Sequence, residues 1–378
     1  MGAMSRLPAA LLFCVGLGSL AMPDCEPSRA PGGFHSANVV IRGSDFGVAW
    51  ASSNSGPRIF FGELGDDGWS TPQRGISKTG HETDPPLIAS DGRGYMLAWT
   101  HHGGAKSGVW ARALDPRGRG EAELKVGDGP AHVCRSMVWD GVGYVVLWIG
   151  EEGLYLRRLV TQQASDVRVL HGEPGIYDCR LAWTGDRYAV LYALLHESGD
   201  SSLELLTFSG EGDDARATMI AIDEAPLRAR EMIWNGSELV IAYTEDGARG
   251  ATLAHADPYA GGVETQPIVG LDGHVHGIGI APTAPYGVVW STSEKANAAR
   301  GDVFASVMND AGNIGEPLKL TERPNGRAVV NATGAGDRFA FGWSTDYKRN
   351  GGMVSWRAFR LRHDQASLRD ATLLFATD

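Results

Sequence analysis

Short apolar runs that close on an aromatic residue recur seven times along this chain. They are Phe46-Gly47-Val48-Ala49-Trp50, Tyr95-Met96-Leu97-Ala98-Trp99, Tyr144-Val145-Val146-Leu147-Trp148, Tyr188-Ala189-Val190-Leu191-Tyr192, Leu239-Val240-Ile241-Ala242-Tyr243, Tyr286-Gly287-Val288-Val289-Trp290 and Phe339-Ala340-Phe341-Gly342-Trp343. The closing aromatics are 49, 49, 44, 51, 47 and 53 residues apart, a period that identifies structural repeats. Each run is apolar at consecutive rather than alternate positions, the pattern of a strand covered on both faces.

Other polar and apolar segments repeat around these runs. Before several lies a second apolar stretch and a tight turn: Leu87-Ile88-Ala89-Ser90 before Asp91-Gly92, Met137-Val138-Trp139 before Asp140-Gly141, and Met232-Ile233-Trp234 before Asn235-Gly236. Asp-Gly and Asn-Gly tolerate the positive φ of hairpin turns, so each such repeat opens with a hairpin. After the aromatic comes a polar loop, then a third strand such as Val109 to Leu114 or Val303 to Met308, a Gly-containing turn, and a fourth strand such as Pro317 to Leu320. Four strands per repeat is the content of one propeller blade.

A single sheet with apolar residues on both faces cannot bury them, whereas seven sheets set radially around an axis can. The expected fold is therefore all-β, a seven-bladed β-propeller with four antiparallel strands per blade. The blades span about 35–80, 81–130, 131–174, 175–225, 226–273, 274–325 and 326–378. A linear β-solenoid fits less well, because no distinct capping repeat closes either end.

The segments Asp91 to Trp99 and Asp140 to Trp148 follow an Asp-Gly-x-Gly-Tyr-x-x-x-Trp pattern. On that pattern, over roughly residues 35–378, the chain resembles secreted bacterial β-propeller repeat proteins. The resemblance is specific for architecture and carries no catalytic residue with it. A sialidase-type Ser-x-Asp-x-Gly-x-Thr-Trp box is absent, as are the recurrent Gly-His and Trp-Asp pairs of the WD40 family.

Composition sharpens the class. A 378-residue chain with 43% hydrophobic and 21% charged residues can bury a large core, and 51 glycines suit many tight turns. The net charge of −11 argues against a nucleic-acid partner. At the N-terminus, Arg6 precedes the apolar run Leu11 to Val15, and Ser19-Leu20-Ala21 has the form of a cleavage site. Residues 1–21 are thus expected to be a signal peptide and 22–34 a linker, giving a secreted or periplasmic protein. The apolar run is too short for a spanning helix, and the remaining chain offers no transmembrane span. Cys25 raises lipid anchoring as an alternative, against which Pro23 and Asp24 speak.

With four strands per blade, the loop leading into each first strand and the loop between second and third strands share one face around the central channel. The lead-in segments carry His35; His81 and Asp84; His132 and Arg135; Asp178 and Arg180; Arg228 and Glu231; His274 and His276; and Arg327. Nine of the 11 histidines fall on this face, a density suited to an anionic ligand or a divalent cation. No spacing diagnostic of a metal or cofactor site is present. Cys134 and Cys179 stand near the start of neighbouring first strands, placed either for a disulfide in an oxidising compartment or as two free, buried thiols.

Two functional readings follow. The one that asks least of the sequence is a non-catalytic binding or scaffold module holding a protein, peptide or glycan at the loop face. The alternative is an extracytoplasmic hydrolase or lyase acting on a polysaccharide in the same funnel, with Glu82 or Asp84 beside His132, or Glu231 beside Arg228, as acid–base pairs. A titratable group with a shifted pKa in the funnel favours the second.

Overall fold

The computed structural model describes residues 34–377 apart from 53–57, 66–67, 78–85, 103–106, 130–132, 161–162, 173, 211–213, 247–248, 284, 296–300, 322–327, 346–352, 361–366 and 369–371. Residues 1–33, where a signal peptide and most of a linker are expected, therefore lie outside the described residues. The described strands form seven antiparallel sheets, each built from one uninterrupted stretch of sequence with its strands in chain order. In blades 1 and 3 the outermost strand is split into two short pieces, Gly68–Trp69 with Arg74–Gly75, and Gln163–Ala164 with Arg168–His171. No helix occurs among the described residues.

The first strands of the seven sheets stand side by side around the axis, and the last of them, Ala328–Ala335, meets the first, Phe34–Arg42. The closing aromatics all face the preceding blade. Trp99 packs with Ala49 and Ile59 of blade 1, Trp148 with Met96 and Ala98 of blade 2, Trp290 with Val240 and Leu253 of blade 5, and Trp50 with Ala340 and Ala358 of blade 7. Seven apolar layers result, one per blade interface, and the seven aromatics are between 0% and 7% exposed. The core is thus a ring of interfaces, and the repeating Trp and Tyr are its filling rather than a ligand platform.

The Asp-Gly-x-Gly-Tyr pattern has a structural meaning in this ring. In blades 2 and 3 the Asp carboxylate closes its own turn: Asp91 Oδ1 accepts from Arg93 N and Gly94 N at 2.8 and 2.7 Å, and Asp140 Oδ1 from Val142 N and Gly143 N at 2.9 and 2.7 Å. Gly92 and Gly141 hold φ of +82° and +92°, which only glycine adopts without strain. The Tyr hydroxyl then ties its blade to the preceding blade. Tyr144 Oη accepts from Asp91 N at 3.1 Å, and Tyr286 Oη from Asn235 Nδ2 at 2.8 Å. Tyr188 Oη donates to Asp140 Oδ2, which also pairs with Arg158 Nε at 2.6 Å, and Tyr95 Oη donates to Glu63 Oε1 at 2.5 Å.

The ring closes without a shared strand among the described residues. At the seam between blades 7 and 1, Asn331 Oδ1 accepts from Val39 N at 3.0 Å, Thr333 Oγ1 from Ile41 N at 3.3 Å, and Arg338 Nη1 donates to Ser44 O at 2.5 Å.

Candidate functional site

The site begins with a backbone irregularity. In five of the first strands, as far as they are described, one residue is skipped in the pairing with the second strand: His35, Arg135, Tyr177, Arg230 and His276. A bulge breaks strict alternation and re-aims side chains, so strands that would otherwise show the axis only their backbone edge present side chains there. Backbone bonds from Leu195 N to Gly175 O at 3.1 Å, Asp246 N to Pro226 O at 2.8 Å and Gly250 N to Gly273 O at 3.1 Å hold the second-to-third loops against the lead-in segments. The expected shared face is therefore formed in blades 4 to 6.

Charged side chains of blades 3 to 5 converge on that face. Asp178 Oδ1 accepts from Arg180 Nη1 at 2.9 Å and from Cys179 N at 3.0 Å. Arg180 reaches across the interface, its Nε donating to Arg230 O at 3.0 Å. Arg230 Nε donates to Thr244 Oγ1 at 2.7 Å, and Glu231 Oε1 accepts from Met232 N at 3.1 Å. Arg228 makes a two-point pair with Asp246, at 3.2 and 2.8 Å, and lies 5.1 Å over the Tyr177 ring. Arg135, exposed, donates to Tyr177 O at 3.4 Å.

Desolvation dominates the electrostatics of this cluster. Burial pulls the Arg230 guanidinium down to about 10, with Asp178 opposing that change and Arg180 adding to it. Burial pushes Glu231 up to about 7, against the opposing charge of Arg180 and the hydrogen bond from Met232 N. Both side chains are half-buried, yet protein surrounds them closely enough for desolvation to dominate. Arg135, Arg180, Arg228 and Arg230 are thus grouped with the carboxyl groups of Asp178 and Asp246 and with Glu231, which lies between its two protonation states near pH 7.

A stability prediction follows. Glu231 releases its proton near 4.5 when unfolded and near 7 when folded, so between these values the folded state holds more protons and loses stability as pH rises. Glu231→Gln, which copies the neutral acid, is expected to melt above the parent protein once pH exceeds 7 and level with it below 4.5. The difference should be on the order of 1–3 kcal/mol, measured by scanning calorimetry across pH.

Of the residues anticipated from sequence, Arg135, Asp178, Arg180, Arg228 and Glu231 come together here. His274 and His276 occupy the adjacent first strand of blade 6, where His276 Nε2 lies 2.6 Å from Ser293 Oγ. His81, Asp84, His132 and Arg327 lie outside the described residues, as does the side chain of His35. Among the described residues no three His, Cys, Asp or Glu side chains are grouped to hold a metal. Tyr177 has no place in that expectation, since a bulge is a register event with no residue signature of its own.

The Cys134–Cys179 bridge is not made. Cys179 is a free, buried thiol in the apolar layer between blades 3 and 4, beside Leu147 and Leu181, where burial pushes its pKa up. Cys179 pairs with Tyr192 and Cys134 with Trp148, the closing aromatics of their blades. Register-equivalent positions of successive blades face the same way around the ring, so they do not meet. The side chain of Cys134 itself is outside the described residues.

No protein-family model matches this chain, and no curated protein is a detectable relative. Among solved structures it is similar to a prolyl endopeptidase (13% identity, TM-score 0.58, 91% of this chain and 50% of that one). It is also similar to prolyl oligopeptidase B from Galerina marginata (11% identity, TM-score 0.56, 92% and 51%) and to the endosialidase of phage phi92 (10% identity, TM-score 0.52, 89% and 69%). The chain spans about half the length of the two prolyl peptidases. Identities this low establish the shared propeller fold and no more.

Proposed function

We propose that the channel face over blades 3 to 5 binds an acidic, carboxylate-bearing polysaccharide and that the chain cleaves it as an exported hydrolase or lyase, with Glu231 transferring the proton. The observation that carries this reading is the convergence of Arg135, Arg180, Arg228 and Arg230 around too few carboxylates, in a chain whose net charge is −11. A local reversal of sign attracts an anion, and guanidinium groups match the two oxygens of a carboxylate. Glu231, between its two protonation states near pH 7, has the property a general acid or base needs. Protonated, it donates to the departing glycosidic oxygen; ionised, it accepts the proton next to a uronate carboxylate.

The phage phi92 protein, by name an endosialidase, is a precedent for glycan chemistry on a similar fold. Export agrees with the leader-like N-terminus and with the resemblance to secreted bacterial propeller proteins. A purely binding module is the second reading, favoured by one observation: Asp178 and Asp246 are committed to Arg180 and Arg228, which leaves Glu231 without a second free acid in this cluster.

The test pairs calorimetry with product assays on polygalacturonate, alginate and polysialate, with dextran as the neutral control. Cleavage is followed by new reducing ends for a hydrolase and by ultraviolet absorbance of unsaturated ends for a lyase. Binding to an acidic polymer, weakened about tenfold or more in Arg230→Ala and by added salt, is the expected result. Binding without cleavage moves the protein to the second reading, and binding to none of them overturns both.

A further inference from the structure

Away from the arginine cluster, blade 6 carries a cleft of about 250 Å³ with the opposite charge. One wall is the lead-in segment Gly270 to Gly273, the other the ends of the strands Tyr286–Ser293 and Asp302–Met308. Phe304, half-buried, forms an aromatic floor backed by the buried Trp290, on which it stacks at 5.7 Å and 21°, with Pro317 at the rim. Asp272, Glu294 and Asp302 border it. Asp302 is engaged by Lys319 Nζ at 2.9 Å and Thr321 Oγ1 at 3.1 Å, whereas the carboxylates of Asp272 and Glu294 make no hydrogen bond or ion pair with the described residues. Lys295 is exposed next to Glu294 in the chain.

The cleft is built rather than incidental. Thr292 Oγ1 donates to Asp272 O at 2.6 Å and Gly250 N to Gly273 O at 3.1 Å, pinning the wall. Gly273 holds φ of +86°, and a Cβ there would lie 2.5 Å from Thr292 Oγ1 and 2.7 Å from Ser293 O, so only glycine allows this close approach. A hollow with an aromatic floor and carboxylates at its lip matches a cation on a hydrocarbon stem: the stem covers the Phe304 ring and the charge meets the acids.

We propose that this cleft takes the side chain of a lysine presented by a partner peptide. The proposal is independent of the glycan reading, because the two sites have opposite charge and share no residue.

Calorimetric titration of the full chain with n-butylammonium, Nα-acetyl-lysine methylamide and 1-butanol tests it. Millimolar binding of both amines, at least tenfold weaker binding of the alcohol, and a threefold to tenfold loss in Glu294→Gln are expected. Asp302→Asn, checked for an unchanged melting temperature, should act in the same direction, while Glu231→Gln at the channel should leave amine binding intact. Equal binding of alcohol and amine, an amine affinity indifferent to Glu294→Gln, or failure of the acetyl-lysine compound to bind would each overturn the proposal.

Discussion

Glu231→Gln is expected to lower kcat on the acidic polymer by about 10²–10⁴-fold while leaving the dissociation constant within about threefold, the signature of a lost proton transfer at an intact site. Glutamine keeps the size and polarity of the neutral acid, so Arg180, Arg228 and Arg230 still receive the carboxylate. In the parent protein the rate should change across the titration of Glu231 near pH 7, and in the variant that limb should vanish. Steady-state kinetics across pH, with binding measured separately, checks both statements. A variant that retains full activity would remove Glu231 from the mechanism and leave the arginines as a binding site alone.

Asp140→Ala is expected to destabilise the fold by about 3 kcal/mol, a large effect for one residue at a turn. Its side chain is 1% exposed and accepts from Tyr188 Oη, Val142 N and Gly143 N while pairing with Arg158. Burial raises its pKa, but these partners together outweigh burial and hold it below the ordinary carboxylate value. The stabilisation is therefore present above the unfolded pKa and lost as pH falls through the lower folded one. Removing the carboxylate opens the turn, leaves the Tyr188 hydroxyl without its acceptor and strips Arg158 of its counter-charge. Urea unfolding of Asp140→Ala, Tyr188→Phe and the double variant measures the coupling, and full additivity of the two single changes would refute a clasp between blades 3 and 4.

The fold was legible because its strongest signal is local. Second strands buried on both faces, such as Tyr144 to Trp148, write an unbroken apolar run into the sequence, and their spacing counts the blades. The Asp-Gly turns were legible as hairpins, but the partner of Tyr144 or Tyr188 was not, since a hydroxyl that reaches the preceding blade leaves no local pattern. The site was legible to the resolution of a face: the lead-in loops pointed to Asp178, Arg180, Arg228 and Glu231. Beyond that the bulges decide, because skipping Tyr177 or Arg230 changes which neighbours point at the axis. The same one-residue effect sets the register of the cysteines. The extra residue follows Cys134 in blade 3 and precedes Cys179 in blade 4, which explains why they stand 14 and 13 residues before their aromatics and yet share a register.

Each sheet is a single stretch of chain, and the seam between blades 7 and 1 is joined by side chains rather than by an interlaced strand among the described residues. During synthesis every blade can therefore complete its own hydrogen-bond ladder as soon as it emerges, and the final event is the docking of two finished surfaces. The part a newly made molecule exposes longest is then the pair of apolar flanks that will become the last interface, Ala340 and Ala358 on one side and Val48 and Trp50 on the other. An arrested or slowly closing chain would offer that face to a second copy, so pressure against intermolecular pairing falls most heavily on the two terminal repeats.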